Sequence, residues 1–182
     1  AYDMADVGVI TNITEDHLGI DGIHTMKDLA YVKSLVGEAV KKDGYVVLNA
    51  DDLVSISIIN RIKSTIIMFS KNRDNPVLRK NINSGGYGVY IRDNIMYVEE
   101  TEKIVPIAKV EDIRISLDGK LTYNVENAMA ACAAAVGLNI DYSIIRKGFK
   151  TFYGDFSFNP GRFNMYDLNG VKVVLDYGHN IE

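Results

Sequence analysis

The stretch Val7-Gly8-Val9-Ile10-Thr11-Asn12-Ile13-Thr14-Glu15-Asp16-His17-Leu18 decides how this chain is read. Its apolar part is short, rich in β-branched residues and bounded by polar ones, which marks a buried strand. That strand empties into Asn, Thr, Glu, Asp and His, so ligand-type side chains gather at its carboxyl end, the edge of an open α/β sheet where ligands bind. The alternative is a polar loop that only caps the next helix.

The pattern continues outward in both period and punctuation. Residues 6–13 predict a strand, and residues 26–42 a helix capped by Thr25 with Asp28 in its first turn. Leu29, Val32, Val36 and Val40 give that helix its apolar spacing, and Gly44 is its expected stop. Residues 45–49 predict a second strand, Asp51 or Asp52 the start of a short helix through Arg61, and residues 65–70 a third strand. This alternation argues an α/β fold, a mostly parallel sheet with crossover helices. The middle adds an antiparallel portion: residues 87–92 and 95–98 flank Asp93-Asn94 as a β-hairpin. One or two strands are expected within 103–117, a helix over 124–137 buried through Val125, Met129, Cys132 and Val136, and an Asp141-capped helix near 142–151. Strands at 163–168 and 171–176, turning at Asn169-Gly170, close the chain.

A length of 182 residues suits one sizeable core and a small piece of a second domain. The composition, 47% hydrophobic and 24% charged, is that of a globular protein. A net charge of −4 gives no support to nucleic-acid binding through a basic surface. A single cysteine, Cys132, excludes an internal disulfide framework and a Cys-based zinc cluster, and its alanine-rich setting makes it buried filler rather than a nucleophile. No run of 18 apolar residues and no signal-peptide pattern occurs, so a soluble cytoplasmic protein with no membrane partner is expected. The chain opens on Ala1-Tyr2-Asp3 and closes on Asn180-Ile181-Glu182 just after a strand signal, which leads us to expect a fragment of a longer polypeptide.

Several residues carry candidate chemistry. Lys33, four residues after Leu29 and three before Val36, falls on or beside the predicted buried face. It is either a lysine that snorkels to solvent or one whose partly desolvated amine is neutral enough to take up carbon dioxide. The resulting carbamate is an oxygen ligand of the kind Mg²⁺ prefers, with His17 as the side-chain ligand from the preceding loop. Asn124 reads as an N-cap; Asn127, a turn further on, has an amide suited to the edge of a base or ribose. Pro160-Gly161-Arg162 holds a guanidinium in a tight turn, either a surface arginine or a phosphate and sugar contact. Asp176, at the end of a second apolar strand that runs into Gly178, His179 and Asn180, is placed either to bind ribose hydroxyls or to cap a helix. No Gly-x-x-x-x-Gly-Lys-Ser/Thr loop is present, and Gly85-Gly86-Tyr87-Gly88 reads as a turn before a strand.

Taken together, residues 6–23, 28–40, 44–52, 124–135, 159–164 and 173–180 resemble, in order, the Mur ligase superfamily. The resemblance implies an ATP-dependent amide-bond ligase that phosphorylates a carboxylate and lets an amine displace the phosphate, with Mg²⁺ offsetting charge. It implies His17 as a magnesium ligand, Lys33 as a carbamylated lysine, Asn127 near the adenine with Asn124 beside it, and Arg162 and Asp176 near the ribose and phosphates. The branch it most resembles adds arginine to the side-chain carboxylates of a poly-aspartate chain, an ATP-grasp half adding the aspartates. The ligases of peptidoglycan precursors or folyl-polyglutamate, and a non-catalytic nucleotide-binding module, are the alternatives. On this reading residues 1–164 form a truncated Mur ligase central domain without its phosphate-binding loop, and 165–182 begin the carboxyl-terminal domain. The isolated fragment is then expected to be inactive and the whole protein to be a homo-oligomer.

Overall fold

In the computed structural model, residues 4–15, 18, 19 and 21–178 are described. Six strands form one sheet in chain order: β1 (Ala5–Ile10), β2 (Val40–Asn49), β3 (Thr65–Ser70), β4 (Tyr87–Arg92), β5 (Ile95–Glu100) and β6 (Lys103–Lys109). The first four pair in parallel, and β5 pairs antiparallel with both β4 and β6. Crossovers α1 (Met26–Glu38), α2 (Leu53–Ser57) and α3 (Pro76–Asn83) link the parallel strands, while α4 (Thr122–Gly137) and α5 (Tyr142–Thr151) follow the sheet. A separate two-stranded sheet pairs β7 (Asn164–Leu168) with β8 (Val171–Leu175). The mixed α/β architecture is the one the sequence pattern predicts.

The period of 2 along each strand sorts the core into two layers. Val47, Ile67, Phe69 and Val89 pack with Val125, Met129 and Cys132 of α4. Val46 and Leu48 face the other way, onto Leu29 and Ala30 of α1. Met68 joins Leu78 and Ile82 of α3. Strands buried on both faces are the reason their sequences read as continuous apolar runs. Each such side chain contributes about 1.5–3 kcal/mol on burial. Cys132 is 1% exposed, and burial pushes its thiol up to about 12, in keeping with a filler role.

Helix α1 begins as expected: Thr25 accepts from the Asp28 N–H and Asp28 returns to the Thr25 backbone, a capping box. Its end and its packing differ from the expectation. The helix stops at Glu38, and Val40 already pairs with Ala5 as the first residue of β2. Gly44 lies inside β2, where a Cβ would sit 2.6 Å from the Asp6 carbonyl; it is a close-approach glycine rather than a helix stop. The buried face is Leu29, Ala30, Ser34 and Gly37, while Val32 and Val36 are exposed. Small residues bring the helix close to the sheet and turn the larger valines outward. Lys33 is therefore exposed rather than set beside the buried face.

Helix α3 has no counterpart in the sequence reading. Asn75 caps it by accepting from the Val77 and Leu78 N–H groups, and Pro76 supplies the first helical residue. After β6 the chain makes two 3₁₀ turns, Val110–Asp112 and Arg114–Ser116, instead of another strand. The β4–β5 turn places Asp93 and Asn94 at φ 50° and 59°, the left-handed pair a two-residue hairpin needs.

Candidate functional site: a cleft at the carboxyl edge of the sheet

Two adjacent aspartates stitch the carboxyl ends of the parallel strands. Asp52 caps α2 through the Val54 and Ser55 N–H groups and also accepts from the Ile13 N–H at 2.7 Å. The loop leaving β1 is thus tied to the end of β2. Asp51 accepts from Ser70 Oγ (2.6 Å), the Lys71 N–H (2.8 Å) and Asn75 Nδ2 (2.9 Å), which ties β2 to the ends of β3 and α3. Thr11 and Asn12 leave β1 at this edge; His17, the expected metal ligand, and His179 lie outside the described residues.

Helix α4 runs antiparallel to the strands and brings its amino end to the same edge. Its N-cap is Leu121, with no side-chain cap bond, so Asn124 is not the cap its sequence position suggested. Asn124 is instead 8% exposed inside the first turn, donating through Nδ2 to the Ile115 carbonyl at 3.0 Å and accepting at Oδ1 from Asn127 Nδ2 at 3.3 Å. The bracket orients Asn127 and leaves its amide oxygen and second N–H for a ligand.

The third wall is the loop around residues 159–163. Asn164, 1% exposed, folds it: Oδ1 accepts from the Gly161 N–H (2.7 Å) and Nδ2 donates to the carbonyls of Asn159 (2.9 Å) and Gly154 (3.0 Å). Gly161 has φ +75°, and Phe163, a bulky residue at φ 49°, sits in a conformation that costs about 1–2 kcal/mol. Two bonds join this loop to the chain after β8: the Phe163 N–H donates to Asp176 Oδ1 (3.0 Å) and the Tyr177 N–H to the Gly161 carbonyl (2.9 Å). The Arg162 guanidinium lies 5.2 Å from the Tyr177 ring centroid. Tyr123 meets Phe163 edge to face at 6.5 Å. Burial, and then the Asp176 carboxylate, raise the Tyr123 phenol above its ordinary value, so it stays a hydrogen-bond donor.

These walls enclose a cleft of about 650 Å³, lined at its polar points by Asn124, Asn127, Arg162 and Asp176, with Thr11 and Asn12 on the β1 side. Four of the six residues singled out in the sequence therefore meet in one place. Lys33 does not line the cleft, and His17 is not described. An amide, a guanidinium, a carboxylate and aromatic faces around one cleft suit a nucleoside phosphate: amide to base edge, carboxylate to ribose hydroxyls, guanidinium to phosphate. Among the described residues no group of three or more His, Cys, Asp or Glu converges to hold a metal ion. A second cavity of about 520 Å³ between α4 and α5 is almost wholly apolar and offers a ligand only the Asn127 amide, so it is the poorer candidate for a charged substrate.

Sequence reasoning missed Asn164, Tyr123, Phe163 and the bracing role of Asp52. Asp52 gave a signal as the expected start of a helix, and Phe163 and Asn164 fall within the 159–164 stretch that carries the resemblance.

Residues 3–135 match the model of the Mur ligase middle domain. The chain belongs to this Mur ligase family. The cyanophycin synthetase of Geminocystis herdmanii is 35% identical over 180 residues, covering 99% of this chain and 21% of that protein. The UDP-N-acetylmuramoylalanine–D-glutamate ligase of a Thermoanaerobacter species is 32% identical over 171 residues, covering 93% of this chain and 33% of that ligase. The Mur ligase fold is shared with MurF from Acinetobacter baumannii, whose crystal structure superposes with a TM-score of 0.65 at 21% identity over 96% of this chain and 34% of that one. The chain thus spans between a fifth and a third of the length of these curated relatives. The match to the Mur ligase middle domain includes α4 with Asn124 and Asn127, whereas Arg162 and Asp176 lie beyond it. The relatives named here are ligases, and among the described residues no helix is long and apolar enough to cross a membrane.

Proposed function

We propose that this chain forms the nucleotide-binding core of an ATP-dependent acid–amino-acid ligase that joins arginine to the side-chain carboxylates of a poly-aspartate chain. The observation that carries the nucleotide reading is the single cleft in which Asn127, Arg162 and Asp176 converge. The substrate reading is supported by likeness to cyanophycin synthetases across 99% of the chain.

In this reaction a carboxylate oxygen attacks the γ-phosphorus of ATP and the bond to the bridging oxygen breaks, releasing ADP. The arginine amine then attacks the acyl carbon, phosphate leaves, and the nitrogen loses a proton to give the amide. The protein's contribution is positioning and electrostatic complementarity. Asn127, held by Asn124, pairs with the adenine edge. Arg162 sets its guanidinium against phosphate oxygens, and Asp176 uses the carboxylate oxygen not engaged by Phe163 for ribose hydroxyls. His17 is the residue proposed to hold Mg²⁺, which would offset charge on the transferring phosphoryl group, whereas Lys33, exposed and away from the cleft, does not fit the carbamate ligand the resemblance implies.

The test is ADP release by the full-length protein with an aspartate-chain primer and arginine, lysine or aspartate added singly. Arginine-dependent release that collapses in His17→Ala is the expected result. Release with another amino acid reassigns the substrate within the ligase class, and ATP binding without any release favours a non-catalytic nucleotide-binding module.

A further inference from the structure

Helix α4 carries Asn127, yet its amino end has no side-chain cap. An uncapped first turn leaves backbone N–H groups unsatisfied and frays readily. Besides the Tyr123–Phe163 ring contact and the buried Val125, two polar side-chain contacts tie the start of this helix down. One is the Asn124 bond to the Ile115 carbonyl. The other is an ion pair between Lys71 Nζ and Glu126 Oε1 at 2.6 Å. Glu126 immediately precedes Asn127, and Lys71 immediately follows β3, with its own N–H fixed by Asp51. The contacts form a chain from the end of β2, through the end of β3, to the first turn of the helix that presents the amide.

We infer that Lys71 is a positioning residue for the nucleotide cleft, acting through Glu126 to hold the amino-terminal turns of α4 against the sheet so that Asn127 presents its amide to the base. This role rests on the nucleotide reading proposed above. Lys71 does not line the cleft, so its action is indirect. The pair is partly exposed, at 53% and 29% for the two side chains, which limits what it contributes to global stability. Its leverage is local: it acts on the turn that carries the ligand contact.

The experiment compares Lys71→Met, Glu126→Gln and the exchanged pair Lys71→Glu with Glu126→Lys in the full-length protein. Three quantities are read: the ATP dissociation constant, hydrogen exchange of the amides at 125–128 against those at 130–136, and the melting temperature. Each single variant is expected to weaken ATP binding about two- to fivefold, the scale of one exposed ion pair, with melting almost unchanged. Exchange should quicken at 125–128 and not at 130–136, and the exchanged pair should restore both readouts to within twofold. Single variants with wild-type affinity and exchange would overturn the inference, as would an exchanged pair no better than the single variants. Wild-type protein that does not bind ATP overturns the nucleotide reading and this role with it; the exchange data then stand apart as a purely structural result.

Discussion

Asn164 spends its buried amide on four backbone groups, one of them the Arg162 carbonyl, and those groups belong to the loop that carries Arg162. Its replacement by alanine removes a partner from one N–H and three carbonyls. Asn164→Ala should lower unfolding free energy by about 2 kcal/mol in urea denaturation and weaken ATP binding about tenfold by displacing the guanidinium. Asn164 closes the 159–164 stretch, in which the sequence reading gave a role only to Pro160, Gly161 and Arg162; a side chain that bonds backward to four main-chain groups has no periodic signature. A second residue-scale effect concerns pH. Glu99 is 5% exposed and takes a bidentate fork from Arg79 at 2.9 and 2.6 Å. That guanidinium holds the Glu99 carboxyl below its ordinary value of 4.5. A carboxyl lowered in the folded state stabilises it fully above the unfolded value, and the contribution disappears as pH falls through the folded value. Unfolding free energy should therefore drop as pH falls through and below the ordinary carboxyl range, and Glu99→Gln should flatten that limb while costing about 2 kcal/mol at pH 7. Chemical denaturation across that range checks both.

Elements pack here by what is small as much as by what is apolar. At Gly8 in β1 a Cβ would lie 2.8 Å from Val40 Cγ2 and 3.1 Å from the Val36 carbonyl, because α1 crosses the strand closely. Gly8→Ala should destabilise by about 1–2 kcal/mol. Gly148 in α5 meets nothing within 4 Å, and Gly148→Ala should instead stabilise by about 0.5–1 kcal/mol. Thermal or urea melts of the two variants should move in opposite directions. The same logic explains what the sequence left illegible. The β strands were readable because four consecutive apolar residues bounded by polar ones admit few alternatives, and α4 and α5 because their periods were long or capped. In α1 the valines followed helical spacing as well as the true face did, and periodicity alone cannot rank Val32 and Val36 against Ala30, Ser34 and Gly37. Helix α3 was overlooked although Asn75-Pro76 is a cap and first-turn signal, since the polar run after β3 masks its two buried residues, Leu78 and Ile82.

For the whole molecule, the layered α/β arrangement places every parallel-strand end, the amino end of α4 and the loop after α5 at one edge, and the cleft is a consequence of that topology. Its membership in the Mur ligase family was legible from ordered motifs spread over the chain, because motif order survives where local structure is ambiguous. The convergence of Asn127, Arg162 and Asp176 was not derivable from spacing, since these residues are separated by a helix, a loop and a hairpin. On the β1 side the sheet presents an unpaired strand edge among the described residues, beside the outward Tyr31, Val32, Leu35 and Val36 of α1, and the β7–β8 hairpin exposes Leu168, Val171 and Val174. These surfaces are more apolar than a solvated face needs to be. Calorimetric titration of ATP into the full-length protein, wild type against Asn127→Leu and Arg162→Ala, asks whether the cleft holds ATP through an amide and a guanidinium. Wild type should bind saturably, and each variant should lose about tenfold or more in affinity with melting temperature unchanged, the scale of one charge-assisted or bidentate hydrogen-bonded contact. ATP binding of equal affinity in all three proteins would contradict that mode of binding.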